Sequence, residues 1–172
     1  VSSFMANHPF IAAAGGAAVV FVLSQMIVVA VEYFLRWNKF RQAAAFARSL
    51  GKPLLVVGRP GSPARIYGCG DVCLDADCRV GIDCPAGGIV ADIREIPFEK
   101  GYFGAVFCSH IVEFLPDVAD ARKAIAEMER VGDRLFLCYT LEPNLLWRWF
   151  GRTTRLWISP RKKSLMIKKR PW

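Results

Sequence analysis

Cys69, Cys73, Cys78 and Cys84 are the residue type and density from which a metal centre can be built. Zinc modules place their ligands on tight C-x-x-C knuckles, and this chain contains no such pair, so no metal is expected. In an oxidising compartment the same four thiols could form disulfides, whereas a cytoplasmic location predicts that they stay reduced. Cys108 and Cys138 lie inside apolar runs, where a thiol behaves as a small hydrophobe. His110 and Glu113 offer the imidazole and the carboxylate that proton transfer requires. Placed three residues apart after an apolar run, they are expected to organise a loop and a helix start, and no catalytic residue is assigned.

The elements that must position these groups follow from short apolar runs. Residues 53–58 (PLLVVG) form a β-branched run of the kind buried on both faces of a parallel sheet. Similar runs occupy 71–74, 88–91, 104–108 and 134–139. A helix is predicted over 117–131, with Asp117 as N-cap behind Pro116 and Val118, Ala121, Ala124, Ile125 and Met128 on one face. Short buried strands with an amphipathic helix between them indicate an α/β domain with a mostly parallel sheet. Such sheets bind ligands beyond the C-terminal ends of their strands.

The stretch VADIREIPFEKGYFGAVFCSHIVEFLPDVADARKAIAEMERVGDRLFLCYT, residues 90–140, resembles the second half of a class I S-adenosylmethionine-dependent methyltransferase of the type 11 kind. Asp92 with Pro97 and Phe98 matches the family's third-strand acid and its P-F approach. Ser109, His110, Ile111, Val112, Glu113, Phe114, Leu115, Pro116 and Asp117 match its S-H-V-L-E-H-L-P-D signature, and Val131, Gly132 and Asp133 its turn after the helix. The resemblance implies a reduced Rossmann-like domain and a site for S-adenosylmethionine. It implies cofactor contacts at Gly58, Gly61, Asp75, Asp92 and Ser109, with Asp75 as the ribose-binding acid, Asp77 as second choice, and Asp92 near the adenine. The first half departs from the family. Its D/E-x-G-x-G-x-G loop is replaced by Val57, Gly58, Arg59, Pro60, Gly61, Ser62 and Pro63, with two glycines, no acidic start and two prolines that remove backbone donors. The short interval before residue 71 implies that the first crossover helix is reduced or deleted.

Residues 11–30 form an uncharged, mostly apolar run, the length needed to cross a bilayer's hydrocarbon core. No Lys or Arg precedes it and it continues toward Phe34, unlike a secretory signal. Arg36, Lys39, Arg41 and Arg48 follow it, which predicts a single-pass helix with its N-terminus outside and the rest of the chain cytoplasmic. Tyr33, Phe34 and Trp37 suit an interfacial aromatic belt, and Glu32 sits at the helix end within reach of headgroups or water. The small residues around Ala12, Gly15 and Gly16 would let another transmembrane subunit approach closely.

The net charge of +8 is unevenly placed. Acids outnumber bases over 53–147, while 36–52 and the tail from Arg148 are almost purely basic. Basic segments beside a membrane are attracted to anionic headgroups, so the bilayer accounts for the excess and no nucleic-acid partner is expected. Four zones result: a transmembrane anchor over 1–36 with its span at about 11–34, a juxtamembrane basic helix over 37–52, an α/β domain over 53–142, and a basic aromatic tail over 143–172. The tail is expected to be an edge hairpin completing the sheet, or a membrane-surface segment built on Leu145, Leu146, Trp147, Trp149 and Phe150. With the cofactor loop so altered, the expected function is a non-catalytic accessory or structural subunit of a membrane complex. The alternatives are an active methyltransferase on a membrane-associated acceptor and, more remotely, a nucleotide-sensing domain.

Overall fold

The first helix, α1 (Pro9–Ser49), does two jobs along its length. Its 41 residues, at about 1.5 Å each, make a rod of about 60 Å. The computed structural model describes residues 9–58, 70–76, 88–140, 145, 155–161 and 164–169. In its N-terminal half α1 exposes Val19, Val20, Val22, Leu23, Met26 and Ile27, and 6% of its apolar stretch is buried by the rest of the chain. It is long and apolar enough to cross a membrane.

The C-terminal half of α1 is part of the domain core. Ala43 and Ala47, fully buried, pack with Leu54, Val56, Cys73, Ala105, Phe107, Phe136 and Cys138, and Phe40 sets its ring edge-on against Phe107 at 5.4 Å. A Cβ on Gly104 would lie 2.9 Å from the Ala47 Cα, so small residues on both sides let helix and sheet approach closely. The basic stretch 37–52 therefore packs against one face of the sheet. The helix ends in a Schellman motif: Gly51 takes φ +64°, its N–H donates to Arg48 O, and the Lys52 N–H reaches Ala47 O.

Five parallel strands follow: β1 (Leu54–Val57), β2 (Val72–Asp75), β3 (Gly88–Val90), β4 (Ala105–Ser109) and β5 (Leu135–Cys138), in the order β3-β2-β1-β4-β5. The runs read from sequence form these strands, and β1 is buried along its whole length as a strand covered on both faces must be. This is a mostly parallel, Rossmann-like sheet of the class I methyltransferase kind. The direction of strand order reverses between β1 and β4, which is where such sheets open a crevice.

The opposite face of the sheet is covered by α2 (Val118–Val131), with Ala121, Ala124, Met128 and Val131 buried. Asp117 caps it, its side chain accepting from the Asp120 N–H at 2.9 Å. Arg130 on α2 donates to the carbonyls of Ile96 and Phe98 and pairs with Glu127, fixing the loop before β4. The strands β6 (Leu156–Arg161) and β7 (Ser164–Lys169) pair antiparallel with each other and form a second, two-stranded sheet. They do not complete the edge of the large sheet. The buried side chains of Leu156 and Ile158 instead join the α2-side core.

α1 runs antiparallel to the strands. Ala47 meets Gly104 at the start of β4, and Arg36 meets His110 just past its end. The C-terminal edge of the sheet thus lies toward the apolar half of α1. Near the middle of that half, the side-chain oxygen of buried Gln25 accepts from the Leu145 N–H at 2.9 Å, which satisfies a polar group in an apolar stretch. Gly51→Ala is expected to destabilise the chain by about 1 kcal/mol, because a Cβ is strained at this φ while nothing crowds it. Gly15→Ala, in open space inside the helix, is the contrasting variant, expected to leave the chain at least as stable in thermal unfolding in detergent.

Candidate functional site

The strand register places several sequence-assigned residues on one level. Val57 is paired with Leu74 on one side and Cys108 on the other, so the next residues, Gly58, Asp75 and Ser109, sit together at the C-terminal edge. Asp92 lies two residues past the end of β3, next along that edge. Gly61 and Asp77 lie outside the described residues, as do Cys69, Cys78 and Cys84. Among the described residues, no group of three or more His, Cys, Asp or Glu side chains could hold a metal.

Gly58 takes φ +91°, its N–H donates to Leu74 O, and its carbonyl accepts from the Cys73 thiol at 3.6 Å. A Cβ there would meet Ile111 Cδ1 at 2.5 Å, so the loop after β4 already fills the space beside this glycine. The Ser109 hydroxyl is buried with no hydrogen-bond partner, an arrangement that costs about 1–3 kcal/mol unless a bound group satisfies it. The Asp92 carboxylate accepts from the Arg94 backbone and guanidinium, and Arg94 also bridges to Asp120 at 2.9 Å. The Arg94 hydrogen bonds hold the Asp92 carboxyl down at about 2.

These residues fit S-adenosylmethionine only in part. Asp75 at the end of β2 and the unpartnered hydroxyl of Ser109 suit a ribose and a polar ligand group. The surroundings of Gly58 and Asp92 do not suit it, because Ile111 takes the space at Gly58 and Arg94 occupies Asp92.

His110 is the described non-glycine residue with positive φ, at 55°. Three contacts hold it there: its N–H donates to Cys138 O at 3.0 Å, its Nε2 lies 2.6 Å from the Arg36 guanidinium, and its Nδ1 lies 3.2 Å from Thr140 Oγ1. A guanidinium only donates, so Nε2 must accept and Nδ1 must carry the proton. That proton faces Thr140 and the Glu113 carboxylate, whose Oε2 is 3.3 Å away. Glu113 in turn accepts from the Thr140 N–H. Burial pushes the Glu113 carboxyl up, but His110 and Thr140 together bring it below the ordinary glutamate value. The set Arg36–His110–Glu113–Thr140 ties α1, β4 and β5 into one polar network.

The thiols of Cys73, Cys108 and Cys138 are buried. Burial raises the Cys108 thiol strongly and lifts Cys138 to about 11, so neither is a nucleophile at neutral pH. Beside the network an open cleft of about 270 Å³ separates α1 from the ends of β4 and β5. Arg36, Lys39, His110 and Tyr139 line it together with Glu32, which is buried at 8% exposure and does not lie free at the helix end. The sequence carries no signal for this cleft, since Arg36 and His110 are 74 residues apart.

Glu113→Gln is expected to lower stability by about 2 kcal/mol at neutral pH, the scale of a buried hydrogen bond to a charged partner. The folded-state value is the depressed one, so this contribution is complete above about pH 5 and is lost as pH falls through it. Thermal unfolding of the full chain in detergent should show wild type and variant converging on acidification.

Comparison with known proteins agrees with this sheet. Residues 68–134 match the family model of a methyltransferase domain. Two solved structures are similar to the chain. A protein from Pyrococcus horikoshii OT3 is 18% identical, with 80% of this chain and 72% of that chain covered and a TM-score of 0.45. A candidate S-adenosyl-L-methionine-dependent methyltransferase from Methanococcus maripaludis is 14% identical, with 89% and 90% covered and a TM-score of 0.41. No curated protein matches the chain. The matched residues span β2, β3, β4 and α2, so this part of the chain resembles a methyltransferase domain and the whole sheet has a Rossmann-like, methyltransferase-like fold.

Proposed function

We propose that the chain is a single-pass, membrane-anchored methyltransferase-like module that acts without catalysis, as an accessory or structural subunit of a membrane protein complex. One observation carries this reading: several of the groups around the crevice are engaged in holding the fold. Ile111 fills the space at Gly58, Arg94 takes the Asp92 carboxylate, and His110 and Glu113 are bound to Arg36 and Thr140.

The anchor is supported by the exposed apolar half of α1 and by the cations that begin at Arg36. With α1 spanning the bilayer, its antiparallel run against β4 turns the crevice edge of the sheet toward the membrane surface. The exposed small-residue stretch at Gly15 and Gly16, where a Cβ meets nothing within 4 Å, leaves room for a neighbouring helix.

A second reading, an active methyltransferase on a membrane-associated acceptor, is favoured by the unpartnered Ser109 hydroxyl level with Asp75. S-adenosylmethionine would supply an electrophilic methyl group, and Asp75 and Ser109 are the residues to hold the cofactor. Calorimetry of the full chain in detergent separates the two. The accessory reading expects no heat with millimolar S-adenosylmethionine, and saturable binding that Asp75→Ala abolishes would establish the other. Protease added to sealed, right-side-out vesicles is expected to leave the α/β domain intact, and its digestion would reverse the orientation.

A further inference from the structure

We propose that the cleft between α1 and the ends of β4 and β5 binds the phosphate of an anionic phospholipid headgroup. This rests on the anchored reading given above, and four features of the cleft carry it.

The first is position. The exposed apolar face of α1 continues through Val31, Phe34 and Leu35, and Arg36 is the first cation after it. The lining residues of α1 run from Glu32 to Gln42, a rise of about 15 Å. That stretch begins where hydrocarbon gives way to a headgroup layer about 5–8 Å thick on each side of the bilayer. The second is size. About 270 Å³ is at the small end of ligand sites, enough for a glycerophosphate headgroup and too small for a dinucleotide.

The third is donor chemistry. Arg36 spends one terminal nitrogen on His110, while its Nε is buried with no partner. A buried guanidinium N–H without an acceptor is costly, and a phosphate oxygen is the acceptor that a guanidinium fits best. The Lys39 ammonium carries three donors and gives one to Leu137 O at 2.7 Å, its Nζ standing over the Tyr139 ring. His110 is already engaged by Arg36 through Nε2. The fourth is charge balance. The lining holds the two cations and one acid, Glu32, while the Glu113 carboxylate stands behind His110 and not in the cleft wall.

Lipid headgroup and soluble phosphate share this chemistry, so the test has an arm for each. Full-length chain in detergent micelles is titrated with dispersed phosphatidylglycerol, phosphatidylcholine or inorganic phosphate, and binding is read by native mass spectrometry and thermal shift. Phosphatidylglycerol is expected to bind and raise the unfolding temperature. Phosphatidylcholine, whose choline cation meets Arg36 and Lys39, and inorganic phosphate are expected to bind at least tenfold more weakly. Arg36→Lys, Lys39→Gln and the cleft-filling Asn38→Trp should each weaken phosphatidylglycerol at least tenfold. Arg41→Gln, an exposed cation stacked on Trp37 outside the lining, should not. Asn38→Trp keeps both cations in place while filling the cleft, so it decides the matter if the charge variants fold poorly.

Equal loss in Arg41→Gln would make the effect diffuse electrostatics and overturn the proposal. Tight binding of inorganic phosphate would overturn the lipid assignment. Extraction of the chain from membranes by alkaline carbonate would instead overturn the anchor, which the micelle titration does not depend on.

Discussion

The close approach of α1 to the sheet is the constraint on which the rest of the molecule depends. Ala43 and Ala47 against Ala105 and Gly104 leave no room for a larger side chain on either surface. Packing at that density fixes the helix axis relative to β4, because a shift of even a methylene would be felt across the core. Since α1 is one unbroken helix of 41 residues, what is fixed at Ala47 is also fixed at Arg36 and, beyond it, along the apolar half. The domain is not hung from a flexible linker. Its orientation is inherited from the helix.

That rigidity explains the polar network at the opposite end of β4. His110 adopts a left-handed backbone that a non-glycine residue holds only when its surroundings over-determine it. Arg36 can supply a guanidinium to that imidazole because Ala43 and Ala47 have already set its distance from the sheet. Glu113 then has a proton donor on one side and the Thr140 N–H on the other, which offsets the burial of its charge. A sequence motif that the family resemblance places beside a cofactor here joins a helix to two strand ends. Local strain at the crevice is thus held by an element from outside the sheet.

The strands and α2 were legible in the sequence because their signals are local. Leu54 to Val57 is a continuous apolar run, and Asp117 after Pro116 announces a helix whose apolar positions recur at three and four. The level shared by Gly58, Asp75 and Ser109 followed from the family pattern and parallel register. Other features were not legible, for a common reason. The contact of Arg36 with His110, the burial of Glu32 and the packing of Ala43 and Ala47 depend on how α1 lies on the sheet, and the composition of residues 37–52 reads only as a basic helix. A hairpin in the tail was one of the two expectations, yet its choice of partner was not legible. Leu156 and Ile158 gain more by joining the α2-side core than an edge strand would gain beside β5.

The direction of α1 carries a functional consequence that fold alone does not. A parallel sheet concentrates its binding capacity at one edge, since the strand C-termini and the loops that follow converge there. Had α1 run parallel to β4, that edge would face away from the apolar half of the helix. It runs antiparallel, so Gly58, Asp75 and Ser109 lie on the side where the exposed Val, Leu, Ile and Phe side chains begin. With the helix in a bilayer, a ligand of this edge or of the neighbouring cleft arrives from the headgroup layer, where lipid phosphates are abundant and confined to a thin slab. Such confinement would raise local concentration without any added contact, so the proposed headgroup site would need only modest chemistry at Arg36 and Lys39.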